Sequence, residues 1–251
     1  MTPSIIGSIW IYPIKGFSGQ KLTRVDLKPG VGIAGDRRFA LRHGASAYRA
    51  EAPAWHRKAE FVMLAHGPLP ATVTTELDAG GRLRISRAGH ELFVGDIASA
   101  AARRGAAAVL GRAVADPRGP VELVDSGALS LTDIETPALS IINLASVRAL
   151  AAKVGFDLDP LRFRGNIVID GPAPWAEFDW VGREIKIGTA TAVVMKRTGR
   201  CVATSVDPAT ATRDINVPAL LQHHFGHTDC GIYAKITGPG VARLGDSLIP
   251  A

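Results

Sequence analysis

The sequence contains few cysteines and no long apolar run. Two cysteines occur among 251 residues, too few for a disulfide framework. No apolar stretch reaches the roughly eighteen residues that a membrane-spanning helix needs, so the sequence predicts no such helix. The opening segment "MTPSIIGSIWIYPIKG" lacks the basic and long apolar parts of a secretory signal peptide. These absences favour a protein of the reducing cytoplasm, with no membrane partner.

Several common functional motifs are also missing. There is no Walker A motif, no G-x-G-x-x-G fingerprint and no G-x-S-x-G nucleophile elbow, so nothing favours a nucleotide-binding fold or a serine hydrolase. The formal net charge is +6, which attracts phosphates, acidic proteins, acidic lipids or nucleic acid. The basic residues lie in separate turns without interleaved aromatic residues, which argues against nucleic-acid binding.

Turn-forming residues are plentiful, with 27 glycines and 16 prolines, and the first third of the chain resembles a series of short strands. Strand-like segments are "SIWIYPI", "LTRVDLKP", "RRFALR", "EFVMLAH", "ATVTTEL" and "GRLRISR". Asp78–Gly81 predicts a hairpin turn between the last two. An alanine-rich segment, Asp96–Leu110, predicts a helix that Asp96 could cap. Residues Ala115–Pro120 predict a linker, which divides the chain into regions 1–115 and 121–251.

The second region mixes strands with short helices. Asn143 is placed to cap a helix that Gly155 would end, and "VPALLQHHFG" predicts another short helix. Strands are predicted at "RFRGNIVIDG", "CGIYAKI" and "VARLGDSL". The segment "REIKIGTATAVVMKR" alternates, and one face would carry Ile185, Ile187, Thr189, Thr191, Val193 and Met195. The predicted fold is mainly β with α+β elements and few short helices, arranged as a barrel or sandwich.

Cys201 is the first candidate for chemistry. It follows the alternating segment, and Lys196, Arg197 and Arg200 precede it closely. A thiolate is a nucleophile and a soft metal ligand, and neighbouring cations favour that ionised form. The alternative is a small buried apolar residue, because free cysteine is among the most buried residue types.

A second candidate is the cluster "HHFGHTDC". His223 and His227 are spaced to share a helical face, and Cys230 follows, which raises the possibility of a zinc site. Gly226 interrupts the helix between the histidines, and no fourth ligand is evident. Ordinary surface histidines and a cysteine at the start of a strand therefore explain this cluster better.

Basic residues next to glycines form a third candidate group. Lys15 precedes Gly16, the pair Arg37 and Arg38 follows "GIAGD", and Arg164 precedes Gly165 and Asn166. Glycine lets backbone N–H groups approach an anion, and the planar guanidinium binds two oxygens at once. Solvated surface charge is the alternative for each residue taken singly.

These segments together resemble one family. "IYPIKG", "GDRRFAL", "RFRGNIVIDG" and "GRCVATSVDP" occur in this order in MOSC-domain proteins, and the match is similar to the subgroup of the mitochondrial amidoxime-reducing component and its bacterial relatives. The resemblance covers nearly the whole chain. It implies an N-terminal MOSC-type β-barrel region, at 1–115, packed against a MOSC domain of β-barrel type, at 121–251.

The resemblance also implies a molybdenum cofactor, molybdopterin with cysteine-ligated molybdenum, bound between the two regions. Cys201 would then be the metal ligand and the catalytic residue. Cofactor contacts are implied for Lys15, Gly16, Arg37, Arg38, Thr136, Arg164, Asn166 and Arg200. Arg37 is an alternative to Arg38, because the tandem arginine makes that match ambiguous. Gly199 stands where relatives often have serine, which removes one hydrogen bond to the cofactor.

By the same resemblance, the activity would be reduction of N-hydroxylated or N-oxygenated small molecules. The sequence shows no cysteine-rich iron–sulfur segment, so electrons would come from a separate protein: a ferredoxin, a cytochrome b5-like protein or a flavin reductase. The alternative is a non-catalytic module that binds or carries the cofactor or sulfur.

Overall fold

The computed structural model describes residues 4–114 and 116–250, and most of its regular structure is β. The strands are β1 (Ser4–Ile11), β2 (Gln20–Leu22), β3 (Arg24–Lys28), β4 (Gly32–Ile33), β5 (Phe39–His43), β6 (Thr74–Leu77), β7 (Arg82–Arg87), β8 (His90–Asp96), β9 (Val121–Asp125), β10 (Leu139–Asn143), β11 (Ile167–Asp170), β12 (Glu184–Ile187), β13 (Ala190–Gly199), β14 (Asp229–Gly238), β15 (Gly240–Arg243) and β16 (Ser247–Pro250). The helices are α1 (Ala100–Val114), α2 (Leu144–Val154) and α3 (Val217–Phe225). The predicted class, mainly β with few helices, is confirmed.

A closed barrel of seven strands dominates the second half of the chain. Its strand order is β11-β10-β14-β13-β12-β16-β1, and β1 pairs again with β11 to close the ring. The pair β10–β11 is parallel, and the other pairs in the ring are antiparallel. Apolar side chains of alternate residues fill the interior, as expected for a small barrel. Strand β1 comes from the N-terminal region, so that region contributes one wall of the barrel. The division into 1–115 and 121–251 stays a prediction.

The hairpin β12–β13 corrects the predicted face of the alternating segment. The interior residues are Ile185, Ile187, Ala190, Ala192 and Val194, whereas Met195 is exposed. The two residues between β12 and β13 form a tight turn in which Gly188 has φ +57°. A Cβ atom at Gly188 would collide with the Val241 carbonyl oxygen. Residues 188 and 189 form the turn and do not pair within the hairpin, so Ile187 pairs with Ala190. The residues that face the barrel interior are therefore odd-numbered in β12 and even-numbered in β13, and the predicted single face was wrong.

Three smaller sheets and α1 form most of the N-terminal region. The sheets are β15-β3-β4, β5-β9 and β6-β7-β8. The turn at Asp78–Gly81 joins β6 to β7 as predicted, and the Asp78 carboxylate accepts hydrogen bonds from the N–H groups of Gly80 and Arg82, both at 2.9 Å. Helix α1 packs Leu110 and its neighbours against this region.

Helix α1 begins later than the sequence predicts. Asp96 ends β8, and its carboxylate accepts from the N–H of Ala98 at 2.9 Å, so it caps the turn before the helix and not the helix itself. Gly105 lies inside α1 and faces the Phe93 ring. A Cβ atom at this position would approach that ring at 2.9 Å, so the packing favours glycine here. Of the predicted linker, Ala115 lies outside the described residues.

The segment "EFVMLAH" is not a strand, which corrects another prediction. Lys58–Glu60 forms a 3-10 turn, and Phe61 makes an isolated bridge to Arg42. The carbonyl oxygen of Leu64 accepts a hydrogen bond from the Arg213 guanidinium at 3.0 Å. The Arg213 side chain thus supplies the hydrogen bond that a neighbouring strand would supply if this segment were part of a sheet.

The two predicted ends of α2 are confirmed. The Asn143 side chain accepts from the N–H of Ala145 at 3.0 Å, and Gly155 ends the helix in the left-handed conformation. The short helix α3 also matches its prediction. In the described part of the chain, no helix has the length and apolar character needed to cross a membrane.

Candidate functional site

A cavity of about 290 Å³ lies where the N-terminal region meets the end of β13. Residues of both halves of the chain line it, including Lys15 after β1 and Cys201 after β13. Seven of the nine residues implied as cofactor or metal contacts line this one cavity: Lys15, Gly16, Arg37, Arg164, Asn166, Arg200 and Cys201. The fold therefore gathers positions that are up to 186 residues apart, from Lys15 to Cys201, around a common space.

Two of the sequence candidates lie outside the lining. Arg38 donates two hydrogen bonds to the Asp125 carboxylate, both at 2.7 Å, which fixes β5 to the end of β9. This pairing raises the pKa of Arg38 through the hydrogen bonds from its guanidinium. Thr136 is partly exposed and does not line the cavity. Of the tandem pair, Arg37 is the arginine that faces the cavity.

Lys15 is a buried cation at the base of the cavity. Only 4% of it is exposed, and its ammonium donates to the Leu131 carbonyl at 2.7 Å and to the Asp133 carboxylate at 2.6 Å. Burial lowers the pKa of Lys15, and Asp133 opposes that effect. Burial would raise the pKa of Asp133, but the nearby Lys15 ammonium outweighs it and holds that pKa at about 2. The Asp133 carboxylate is thus ionised at neutral pH, and its charge favours the ammonium form of Lys15 against the effect of burial.

Arg37 and Arg164 both stand over the ring of Tyr12. Their guanidinium carbons lie 4.7 Å and 4.2 Å from the ring centroid, within the range of cation–π attraction. Both arginines have φ of 52°, a left-handed conformation that is uncommon outside glycine. Arg37 also donates to the Arg164 carbonyl at 3.0 Å and forms an ion pair with Asp36.

Arg164 is the less compensated of these two cations. Its Nη1 donates to the Phe17 carbonyl at 2.6 Å, and no carboxylate pairs with it among the described residues. Burial lowers the pKa of Arg164 to about 10, against the opposing influence of Tyr12. A buried guanidinium without a carboxylate partner is stabilised by an anionic ligand.

Arg200 and Asn166 are held by backbone groups. The Arg200 guanidinium donates to the carbonyl oxygens of Phe163 at 2.8 Å and Cys230 at 2.7 Å. The Asn166 side chain donates to the Trp10 carbonyl at 3.2 Å and accepts from the Ser140 N–H at 3.2 Å. The Asn166 amide thus ties β1 to β10, while the adjacent loop presents Arg164.

Cys201 differs from the other cysteine. It lies between β13 and the 3-10 turn Val202–Ser205, and it is partly exposed in the cavity. Its carbonyl accepts from the N–H of Thr204 at 3.0 Å and from the Thr204 hydroxyl at 2.9 Å, which fixes the backbone beside the thiol. Cys230 is fully buried, and burial raises its pKa to about 12. Only Cys201 is placed to meet a ligand in the cavity.

Sequence reasoning missed several lining residues, including Lys58, Asp133, Thr198 and Tyr233. Lys58 lies on the 3-10 turn that leads into the predicted strand "EFVMLAH", outside every motif noted in the sequence. Asp133 pairs with the Lys15 ammonium, and the two residues are 118 positions apart in the sequence, so the sequence alone does not reveal this contact. Tyr233 could have been found, because it precedes a buried position on a clearly alternating strand.

Four buried polar atoms of residues that line the cavity have no hydrogen-bond partner in residues 4–114 and 116–250. They are Ser140 Oγ, Arg162 Nε, Arg164 Nη2 and Thr198 Oγ1. Leaving such atoms unpaired is costly, so their presence around one cavity indicates a polar ligand. Together with the surrounding cations, they fit an anionic, hydrogen-bonding cofactor or substrate.

The histidine cluster forms no metal site in the described part of the chain. The His227 ring packs edge-on against Trp175, with ring centroids 5.1 Å apart, and against Phe178 at 5.3 Å. Its Nδ1 accepts from the N–H of Asp229 at 3.2 Å. His227 is therefore a partly buried packing residue, not the surface histidine that the sequence suggested.

Two family models match the chain side by side. The MOSC N-terminal beta barrel domain matches residues 4–118, and the MOSC domain matches residues 129–249. Between them they account for nearly the whole chain, which therefore belongs to the MOSC-domain proteins. This confirms the family that the sequence motifs indicated.

Similar individual proteins are more distant. A molybdenum cofactor sulfurase from Anopheles gambiae is 33% identical over an alignment of 128 residues, with 46% of this chain and 16% of the sulfurase covered. The crystal structure of YuaD from Bacillus subtilis is 15% identical, with 99% of this chain and 94% of YuaD covered and a TM-score of 0.48. YiiM from Geobacillus stearothermophilus is 17% identical, with 45% and 53% covered and a TM-score of 0.36.

Proposed function

We propose that this protein binds a molybdenum cofactor in the cavity and reduces N-hydroxylated or N-oxygenated small molecules. The observation that supports this proposal best is the position of Cys201, a partly exposed thiol on the wall of a cavity lined by buried cations. A thiolate is a soft donor that suits a metal already bound by sulfur. The MOSC-domain family and the partial match to a molybdenum cofactor sulfurase agree with a cofactor-related role.

The residues of the cavity fit the anionic parts of such a cofactor. Lys15, Arg37 and Arg164 hold positive charge at the buried end, and Arg164 Nη2 and Ser140 Oγ are free to donate there. A phosphate group would replace the missing partners of these atoms, since guanidinium groups bind phosphate through paired hydrogen bonds. Cys201 would anchor the metal, and the Thr204 contacts would fix its backbone.

The cofactor, when bound, supplies the two-electron oxygen-atom transfer. The chain's own residues would bind and orient the substrate. Burial raises the pKa of Tyr233, so its phenol stays protonated at neutral pH and can donate a hydrogen bond to a substrate oxygen. Reduction of an N–OH group consumes two electrons and two protons and releases water. The electrons would come from a separate electron-transfer protein in the cytoplasm.

Elemental analysis tests the first part of this proposal. The wild-type protein, purified from a host that makes the cofactor, should contain close to one molybdenum per chain. Cys201→Ser should lose the metal, whereas Cys230→Ser should retain it, because the Cys230 thiol lies outside the cavity. Equal molybdenum in both variants would refute the role of Cys201. Reduction of benzamidoxime by the loaded wild-type protein with a chemical reductant tests the second part.

A non-catalytic carrier is the second candidate function. The match to part of a protein named for sulfuration of the cofactor supports this alternative. A carrier would bind molybdenum and cofactor stoichiometrically, yet it would reduce no benzamidoxime with any reductant. It would instead transfer its cofactor to an apo-molybdoenzyme in a reconstitution assay.

A further inference from the structure

We propose that Lys58 and Lys196 form an anion subsite beside Cys201, and that the substrate carries a carboxylate near its N–O group. This inference rests on the proposed function, because it names the class of molecule that the same site reduces. The reaction is R–N(H)–OH with two electrons and two protons giving R–NH₂ and water. The electrons come from the separate carrier, and the carboxylate is unchanged.

Lys58 brings a cation to the mouth of the cavity. Its side chain is 37% exposed, and its ammonium lies 3.9 Å from the Asp133 carboxylate. Lys58 lines the cavity together with Cys201, and its ammonium lies within hydrogen-bonding reach of the Cys201 thiol. Asp133 is already bound by Lys15 at 2.6 Å, which leaves the group of two lysines and one carboxylate with a net positive charge.

Lys196 adds a second cation on the same wall. It lies on β13 five residues before Cys201, lines the cavity and has no ion pair in the described residues. In the register of β13 and β14, Lys196 is opposite Tyr233, whose phenol lies in the field of Lys58. Lys58, Lys196 and Tyr233 therefore surround one part of the cavity, next to Cys201.

Of the other cations that line the cavity, Arg164 has no carboxylate partner among the described residues, and the Arg197 guanidinium carbon lies 4.4 Å from the Phe178 ring centroid. Three more are engaged by carboxylates or backbone carbonyls. Arg162 is bound by the carboxylates of Asp207 and Asp214, Arg37 by Asp36, and Arg200 by backbone carbonyls. The charge of Lys196 is left for a ligand, and that of Lys58 is only partly compensated. Both lie at the more exposed end of the cavity, whereas Lys15 and Arg164 lie at the buried end, where we place the cofactor's anionic groups.

A buried hydroxyl completes the subsite. Thr198 is 2% exposed, and its Oγ1 has no partner among the described residues, although it lines the cavity. It lies on β13 between Lys196 and Cys201. A carboxylate held by the lysines would offer an oxygen to this hydroxyl and to the Tyr233 phenol. A neutral substrate would leave Lys196 without a counter-charge and Lys58 only partly compensated by Asp133.

A pair of matched substrates tests the inference. Benzamidoxime is neutral, and 4-carboxybenzamidoxime carries the additional carboxylate. With the cofactor-loaded protein and a chemical reductant, we expect kcat/KM to favour the carboxylate. Because half-exposed ion pairs each contribute roughly two- to fivefold, the preference should be on the order of tenfold and should fall with added salt.

Lysine variants test whether Lys58 and Lys196 cause the preference for the carboxylate substrate. Lys58→Met and Lys196→Met should each reduce the ratio of the two kcat/KM values, and the double variant should bring it close to one. Lys58→Arg keeps the charge and should keep most of the ratio. Lys235→Met removes an exposed lysine of β14 that does not line the cavity, so it controls for the change in net charge. A ratio that is the same in wild type and double variant overturns the inference.

Calorimetry separates this inference from the proposed function. If neither amidoxime is reduced, the reductase proposal fails, and binding of 4-carboxybenzamidoxime to the loaded protein still decides the subsite. Binding that weakens by roughly tenfold in the double variant supports the subsite. Binding that is equal in wild type, double variant and Lys235→Met refutes it.

Discussion

The guanidinium carbon of Arg164 lies 4.2 Å from the centroid of the Tyr12 ring, and Arg37 approaches the same ring at 4.7 Å. Tyr12 is 1% exposed, and its hydroxyl donates to the Gly165 carbonyl at 3.3 Å. Two like charges are thus held near one π system at the edge of the cavity. The negative potential of the ring faces offsets part of their mutual repulsion.

Replacement of Tyr12 should therefore weaken cofactor binding through the arginines. We expect Tyr12→Leu to lower the molybdenum content several-fold, because cation–π attraction in a buried site is worth about 2 kcal/mol. Tyr12→Phe keeps the ring and should retain most of the metal. Molybdenum analysis of both variants, at equal folded fraction by circular dichroism, checks this. Equal metal content in the Leu and Phe variants would show that the ring has no such role.

The two cysteines should react very differently with an alkylating reagent. At pH 8, iodoacetamide should modify Cys201 alone, because the Cys230 thiol is buried and its pKa is raised to about 12. Mass spectrometry should show one added group on the native apo-protein and two after unfolding in urea. Bound cofactor should protect Cys201, and rapid modification of Cys230 in the native state would contradict the burial of that residue.

The ion pair between Lys15 and Asp133 should make stability depend on acid pH. The folded-state pKa of Asp133 is depressed to about 2 from 3.8, so its stabilising contribution is present above pH 4 and is lost as pH falls through 2. The carboxylate is half exposed, so the contribution is on the order of 1 kcal/mol. Urea unfolding of wild type and Asp133→Asn should differ at pH 6 and converge towards pH 2. A constant difference over that range would refute the assignment.

Gly165 should be intolerant of a side chain. A Cβ there would collide with Ile142 Cγ1, which belongs to the core under α2. We expect Gly165→Ala to lower the free energy of unfolding by about 1–3 kcal/mol and to displace Arg164. Gly67→Ala is the matched control, because nothing lies within 4 Å of its Cβ position. Equal unfolding midpoints for the two variants would contradict this packing.

Local signals in the sequence predicted the ends of α2 and the hairpin at Asp78, because capping and turn chemistry depend on a few adjacent residues. The alternation of "REIKIGTATAVVMKR" predicted the wrong buried face. A two-residue turn at Gly188 changes which positions face inward, although the apolar alternation in the sequence continues through it. The segment "EFVMLAH" has strand-like composition, yet the Arg213 side chain takes one of its carbonyls. Both structures depend on residues distant in the sequence, Val241 packed against the Gly188 turn and Arg213 bound to Leu64.

The candidate site was predictable where a basic residue stands beside a turn, as Lys15 and Arg164 do. The choice between Arg37 and Arg38 was not, because adjacent residues point in different directions and Asp125, which binds Arg38, is 87 residues away. Lys58 and Asp133 carry no motif, and long-range packing alone brings them to Cys201.

The pairing of Ser4 with Leu248 has a consequence for biosynthesis. Strand β1 is made before the other six barrel strands, but one of its edges stays open until β16 (Ser247–Pro250) has been made. During translation that edge presents unsatisfied N–H and C=O groups to other nascent chains, and a chaperone that shields apolar strands would improve the yield. Closure of the barrel therefore follows the synthesis of β16, the last of its seven strands in chain order.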